Sequence, residues 1–147
     1  LPNIAPSSSE TPKASARREG LGNVTFLGAI PDEDKVALLT LCYGVVFPSH
    51  LRAEAFGVSL LEGAMFGKPM ISSEIGTGTS HVNVGGVTGL VVPPGDSAAL
   101  RAALARLLDE PDLAQQMGRN ARARYLELFR AEQMCASYAA LYGAVLR

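Results

Sequence analysis

Two carboxylates, Glu54 and Glu62, enclose the run Ala-Phe-Gly-Val-Ser-Leu-Leu, with seven residues between them. A buried-strand pattern, Gly44-Val-Val-Phe47, precedes the run and is closed by Pro48 and Ser49. Behind it, Gly63-Ala-Met-Phe-Gly-Lys-Pro69 ends a helix and opens another strand pattern, Pro69-Met-Ile-Ser72. The carboxylates therefore flank a helix start at the C-terminal edge of a parallel strand, the edge at which open α/β sheets bind ligands. Gly57 leaves backbone room in the first turn, and the N–H groups of Gly57, Val58 and Ser59 are expected there as free donors. Unpaired N–H groups and the helix dipole both favour an anion such as a diphosphate. An ionised acid at either end accepts hydroxyl hydrogen bonds in fixed geometry and so suits a polyol. Phosphate in the middle with hydroxyl acceptors at both ends describes a nucleotide-sugar.

The elements that must hold these groups follow from the patterning. Val24-Thr-Phe-Leu27 alternates and ends in Gly28, which predicts a strand. Pro31 with Asp32, Glu33 and Asp34 opens a helix to about Tyr43, with Val36, Leu39 and Tyr43 on one face. Gly44–Phe47, Lys68–Ser72 and Leu90–Val92 are three more expected strands, with a helix over Gly57–Phe66. Asp96 caps a helix carrying Leu100, Leu104, Leu107 and Leu108. Pro111 starts another, striped by Leu113, Met117, Ala121, Tyr125 and Leu128. From Ala131 a last helix repeats the pattern with Met134, Tyr138, Leu141 and Val145. Strands alternating with helices at this spacing give an α/β class, a Rossmann-like parallel sheet with helices on both faces. Residues 1–20 are expected to be loop-rich, because Pro2, Pro6, Ser7-Ser-Ser9 and Pro12 interrupt regular elements; Ala14–Glu19 alone reads as a short helix stopped by Gly20.

At 147 residues the chain is read as a single domain, residues 1–147, large enough for a core without staples. With 48% hydrophobic residues and a formal net charge of -1, it is neither a disordered chain nor a basic nucleic-acid binder. Arg119, Arg122, Arg124 and Arg130 form a local basic cluster expected on one C-terminal helix. It reads as a solvated face, with attraction to anionic lipid headgroups as the alternative. Cys42 and Cys135 read as reduced core residues of a cytoplasmic protein. No apolar run reaches transmembrane length, and the first residues lack the order of a signal peptide.

This arrangement resembles the Glu-x7-Glu motif of the retaining glycosyltransferases of family 4, which have the GT-B fold. The resemblance runs from about Gly22 to the C-terminus. It includes Asn23-Val-Thr-Phe-Leu-Gly28, the Gly44–Ser49 strand, Gly67-Lys-Pro69 and Gly86-Val-Thr-Gly-Leu-Val-Val-Pro-Pro-Gly-Asp96. Glu74-Ile-Gly-Thr-Gly-Thr-Ser80, followed by His81-Val-Asn83, is similar to a subset of bacterial polysaccharide-assembly enzymes, several of them mannosyltransferases. By this resemblance Glu54, the candidate catalytic residue, lies against the donor sugar and orients its hydroxyls. Glu62 holds the ribose, the Phe56–Leu60 backbone (with Gly57, Val58 and Ser59) covers phosphates and sugar, and Gly28 to Ile30 are expected under the nucleobase through backbone contacts, with a plain turn before Pro31 as the alternative. A hexose would pass from GDP-mannose or a UDP-sugar to a saccharide or lipid-linked acceptor, with no metal or other cofactor. The setting implied is cytoplasmic, with contact at the inner membrane face as an option.

The resemblance also implies what stands elsewhere. A GT-B enzyme closes its cleft with an N-terminal acceptor domain, and this chain matches only the C-terminal, donor-binding one. The family's Arg and Lys pair that grips the diphosphate has no match in Lys13, Arg17 or Arg18, and Leu1-Pro-Asn-Ile-Ala-Pro6 stands where a Gly-Asp-Gly-Pro turn is usual. This stretch alone is therefore expected to be inactive in transfer, and the final helix to expose an apolar face open to self-association. A non-catalytic nucleotide-sugar-binding module is the alternative reading. A dinucleotide-dependent oxidoreductase is poorly supported, because Gly76-Thr-Gly78 has His81 where the third glycine of Gly-x-Gly-x-x-Gly would stand. His50 and His81 lack partners at ligand spacing and read as structural or solvent-facing. Ser49 is read equally as a donor contact or a loop cap.

Overall fold

The computed structural model describes residues 11–146, and the expectations for Pro2, Pro6 and Ser7 to Ser9 lie outside them. Two compact units divide the chain, residues 1–35 and Val36–Arg147.

In the first unit, α1 spans Pro12–Arg18. Thr11 caps it, its hydroxyl accepting the Ala14 N–H at 3.3 Å, and Pro12 at the first helical position costs no hydrogen bond. Beyond the helix, the Gly20 N–H bonds Arg17 O and the Leu21 N–H bonds Ala16 O, with Gly20 at φ 67. That pair of bonds is a Schellman stop. The short helix expected over Ala14–Glu19 is therefore present but begins two residues earlier, because a proline that breaks a helix interior is tolerated at its start. The strand expected at Val24–Leu27 does not form. Its alternation is present in the sequence, but a strand exists only where a neighbour takes up its backbone groups, and no ladder partner pairs with it among the described residues. Val24, Phe26 and Leu27 remain exposed.

Helix α2, Asp32–Leu41, begins with the acids Asp32, Glu33 and Asp34, favoured at its positive end. It stops two residues short of the expected Tyr43, whose hydroxyl instead donates to Leu107 O at 2.6 Å.

The second unit is built on a three-stranded parallel sheet in the order β1 (Val45–Phe47), β2 (Met70–Ser73), β3 (Gly89–Val92). Val45 pairs with Met70, and Met70 with Gly89. Helix α3, Val58–Met65, links β1 to β2, and the short α4, Thr79–Val82, lies between β2 and β3. After β3 come α5, Ser97–Asp109, then α6, Pro111–Leu128, and α7, Ala131–Val145. Asp96 caps α5 as expected, accepting the Ala99 N–H at 2.8 Å.

Successive residues of a strand point to opposite faces, and the central strand shows it. Met70 joins Leu60, Ala64, Val82 and Ala121 in one buried cluster. Ile71 joins Val92, Ala103, Leu107, Ala114 and Met117 in the other. The sheet is therefore covered on both faces, the Rossmann-like arrangement expected. Small residues let α6 approach: a Cβ on Gly118 would run into the Gly67 carbonyl. For that reason its buried line is Ala114, Met117, Gly118 and Ala121, while Leu128 of the expected stripe is exposed. In α5 likewise Ala103 and Leu107 are buried, whereas Leu104 and Leu108 face out.

Helix α7 buries none of its residues, and Met134, Tyr138, Leu141 and Val145 are all more than half exposed, at 57%, 56%, 58% and 74%. Cys135 on the same helix is exposed too, so it is not a core residue; Cys42 is half-buried. The arginines do not form one helical face. Arg119, Arg122 and Arg124 lie on α6, but Arg130 stands between α6 and α7 and pairs with Glu132 at 3.2 Å. Arg122 donates to Met65 O and Arg124 to His81 O, so two of the four tie α6 to neighbouring segments.

Candidate functional site

The loops that follow β1 and β2 meet at the C-terminal edge of the sheet. The Gly78 N–H donates to Ala55 O at 2.9 Å, and the Arg52 guanidinium donates to Gly76 O at 3.3 Å. Glu74 fixes the second loop from inside, its carboxylate accepting the Gly76 N–H at 3.0 Å and the Ser80 hydroxyl at 2.8 Å. Below the loop a buried amide network holds β2 to β3. Asn83 Nδ2 donates to Ser72 Oγ at 2.8 Å and to Leu90 O at 3.1 Å, while its Oδ1 accepts the Thr88 hydroxyl at 3.0 Å. Every polar group of that side chain is satisfied, which is what makes its complete burial tolerable.

Gly57 shapes the start of α3. It sits in the left-handed region at φ 83 and ψ 61, and its carbonyl accepts the Leu60 and Leu61 N–H groups at 2.9 and 3.2 Å. A Cβ here would stand 3.1 Å from both Leu60 Cδ1 and Thr79 Cγ2. The glycine is thus required by backbone angle and by packing. Its own N–H is not free, contrary to expectation: Glu54 Oε1 accepts it at 2.9 Å. The physical reason is proximity, since a carboxylate three residues before a helix's first N–H groups is well placed to satisfy one of them. Val58 and Ser59, the first two residues of the helix, are exposed, and their N–H groups have no hydrogen-bond partner within the described residues. Two outward donors therefore remain where three were expected.

Glu62, half-buried, lies four residues into the helix from Val58, so one helical turn separates it from those donors. Phe56 is 37% exposed and packs edge-on against Phe129 with ring centroids 6.1 Å apart. The His81 ring meets Phe129 edge-on as well, at 5.4 Å, and the Arg124 guanidinium lies over Phe129. His81 is accordingly part of an aromatic wall. Among the described residues no group of three or more His, Cys, Asp or Glu could hold a metal ion.

Glu54, Phe56, Gly57, Val58, Ser59 and Glu62 are thus brought together in one short segment at the sheet edge. Gly28, at φ 68, and Ile30 belong to the first unit. A small cavity of about 170 Å³ opens at the same edge, lined by Pro48, His50, Ser73, Pro93 and Asp96 among others, the residues that end or follow all three strands. Ser49 is half-buried beside it in the chain. The sequence reading passed over Arg52 and Phe129. Arg52 carried a signal, a lone cation two residues before Glu54; Phe129 carried none, because its partner is distant along the chain.

Chemically, the segment offers two unpaired N–H donors at the positive end of a helix, one carboxylate held beside them and another one turn on. That set can bind an anionic group and accept hydroxyl hydrogen bonds on either side of it.

Known proteins are similar to this chain over most of its length. The family model described as glycosyl transferases group 1 matches residues 6–124, so the match begins earlier than the motifs alone indicate. The chain is 66% identical over 118 residues to the D-rhamnosyltransferase WbpZ of Pseudomonas aeruginosa, covering 80% of this chain and 31% of that protein. It is 50% identical over 134 residues to the O-antigen chain mannosyltransferase C of Escherichia coli, covering 91% and 36%. Among solved structures, sucrose-phosphate synthase from Thermosynechococcus elongatus superimposes with a TM-score of 0.81 at 32% identity, over 91% of this chain and 33% of that one. Anabaena HepE in complex with UDP and glucose gives a TM-score of 0.80 at 25% identity, over 90% and 35%. The chain spans about a third of the length of these relatives.

Proposed function

The chain belongs to the glycosyl transferases group 1 and has the fold of one half of a GT-B enzyme, and from that premise we propose that it is the donor-binding half of a glycosyltransferase of polysaccharide assembly. Its donor is a nucleotide-sugar, GDP-mannose or a UDP-sugar, and its acceptor a growing saccharide or lipid-linked saccharide. The relatives' names favour a manno-configured sugar, since D-rhamnose is the 6-deoxy form of D-mannose. The observation that carries the reading is the start of α3, with unpaired N–H groups at Val58 and Ser59, Glu54 beside them and Glu62 one turn on.

As the glycosidic bond breaks, negative charge grows on the β-phosphate. Preorganised N–H donors at Val58 and Ser59 stabilise it, and stabilise it more in a site from which water is excluded. Glu54, anchored by the Gly57 N–H, has a fixed carboxylate with which to orient the sugar hydroxyls. Glu62 accepts the ribose hydroxyls. Anomeric configuration is retained, in keeping with the family 4 resemblance, and Glu54 acts by positioning rather than by covalent attack. No metal enters the scheme. An N-terminal domain supplies the acceptor wall of the cleft. The reaction belongs to the cytoplasmic side, with a lipid-linked acceptor bringing the enzyme to a membrane surface; no helix among the described residues is long and apolar enough to cross one.

Titration calorimetry with GDP, UDP and GDP-mannose tests the reading. Binding of at least one nucleoside diphosphate, competitive with its sugar conjugate, is expected. A folded protein that binds none of them at millimolar concentration overturns it.

A further inference from the structure

We propose that Arg52 binds the diphosphate of the donor, an assignment that rests on the nucleotide-sugar reading above. Three loops leave the C-terminal edge of the sheet, over residues 48–57, 74–84 and 93–96, and Arg52 is the only Lys or Arg in any of them. Its charge is not compensated by an acid: no carboxylate pairs with it among the described residues, and its one hydrogen bond is to the Gly76 carbonyl. Of the other cations of the second unit, Arg106 pairs with Glu110 and Arg130 with Glu132. Lys68 and Arg122 bond Thr40 O and Met65 O, outside these loops, and Arg124 is held by two donors at His81 O and lies over the Phe129 ring.

Geometry brings Arg52 and the helix start to the same short loop. Arg52 touches that loop at Gly76, while Thr79, three residues on, lies against Gly57. Three residues span at most about 10 Å even when fully extended. An arginine side chain released from Gly76 can therefore reach an anion seated on the Val58 and Ser59 N–H groups.

Charge supplies the need. The diphosphate of a nucleotide-sugar carries two negative charges, against which the helix end offers roughly half an elementary charge. A guanidinium meets the remainder better than an ammonium, because its planar fork pairs two phosphate oxygens at once. As a loop clasp alone, Arg52 would need only one donor; it has five.

Binding of GDP, GMP and guanosine (or the uridine series, whichever the wild type prefers) to Arg52→Ala, Arg52→Lys and Arg52→Gln separates the two roles. Arg52→Ala is expected to weaken diphosphate binding roughly ten- to a hundred-fold, as for a lost hydrogen bond to a charged group. The nucleoside should be almost unaffected, and the salt dependence of diphosphate binding should flatten. Arg52→Lys should recover part of the loss and Arg52→Gln none. Equal losses for diphosphate and nucleoside, or full recovery in Arg52→Gln, identify a loop clasp and overturn the proposal. Unchanged diphosphate binding in Arg52→Ala overturns it while leaving the function standing. Failure of the wild type to bind any diphosphate removes both.

Discussion

The Glu54 carboxylate accepts the Gly57 N–H at 2.9 Å, so the acid that opens the motif also caps the helix inside it. Capping and orientation are here one hydrogen bond. A half-buried carboxylate held in this way loses little further freedom when a hydroxyl binds to it, and that pre-organisation favours binding.

Gly57→Ala is expected to destabilise the fold by about 1–2 kcal/mol through the left-handed backbone alone. The new Cβ, 3.1 Å from Leu60 Cδ1 and Thr79 Cγ2, adds to that cost. Urea denaturation should show a lower midpoint with an unchanged slope. Stability equal to wild type would contradict the left-handed geometry at this residue.

Asn83→Ala should be more damaging than its size suggests. Removing the amide takes the partner from buried Ser72 Oγ and from half-buried Leu90 O, while Thr88 Oγ1 keeps the Val84 N–H and O. A buried group left unsatisfied costs about 1–3 kcal/mol, so a total loss of about 2 kcal/mol or more is expected. Asn83→Asp keeps the shape and one acceptor but buries a charge, and it should not rescue. Thermal unfolding of the three proteins ranks them; a loss under about 1 kcal/mol in Asn83→Ala would mean that water replaces the amide.

The helix start and the two acids were readable because their signals are local. Gly57, Asp96 and Pro111 mark three helix starts within a few residues of where the helices begin, and Glu54 to Glu62 fall within one loop and helix. Pairing is not local. The alternation of Val24 to Leu27 states which side chains would share a face, yet not whether another strand lies alongside, and none does among the described residues. Leu107 is buried and Leu100 and Leu113 pack on the core as expected, but Leu104, Leu108 and Leu128 face out. In α6, Gly118 lets the helix approach the Gly67 carbonyl closely, so Ala114, Gly118 and Ala121 share its buried line with Met117. The capped N–H of Gly57 was hidden by a side-chain rotamer, which spacing does not encode.

Phe129→Ala removes the edge-on partner of both Phe56 and His81. Each aromatic pair contributes about 0.5–1.5 kcal/mol beyond area burial. A destabilisation of ~2 kcal/mol is therefore expected, together with weaker nucleotide-sugar binding as Phe56 loses its support. Phe129→Leu should recover stability better than ligand affinity, because it restores volume but not ring geometry. Identical recovery of both in calorimetry and denaturation would show that the ring serves the core alone.

The two acids of the motif predict different ligand responses. Glu62→Ala should weaken nucleoside diphosphate and nucleotide-sugar alike, since both carry the ribose that Glu62 holds in the proposed site. A hydrogen bond to a charged group is worth about 1.5–3 kcal/mol, roughly ten- to a hundred-fold in affinity. Glu62→Gln retains the shape and one acceptor and should lose less. Glu54→Ala, by contrast, should leave diphosphate affinity within a few-fold of wild type, because that ligand lacks the sugar that Glu54 orients in the proposed site. Its loss should fall on the nucleotide-sugar. The cap on Gly57 goes as well, which costs about 1 kcal/mol of stability and must be measured separately. Calorimetry of GDP, UDP and GDP-mannose on the three variants reads these differences directly. Equal losses for diphosphate and nucleotide-sugar in Glu54→Ala would remove Glu54 from the sugar, and undiminished binding in Glu62→Ala would remove Glu62 from the ribose.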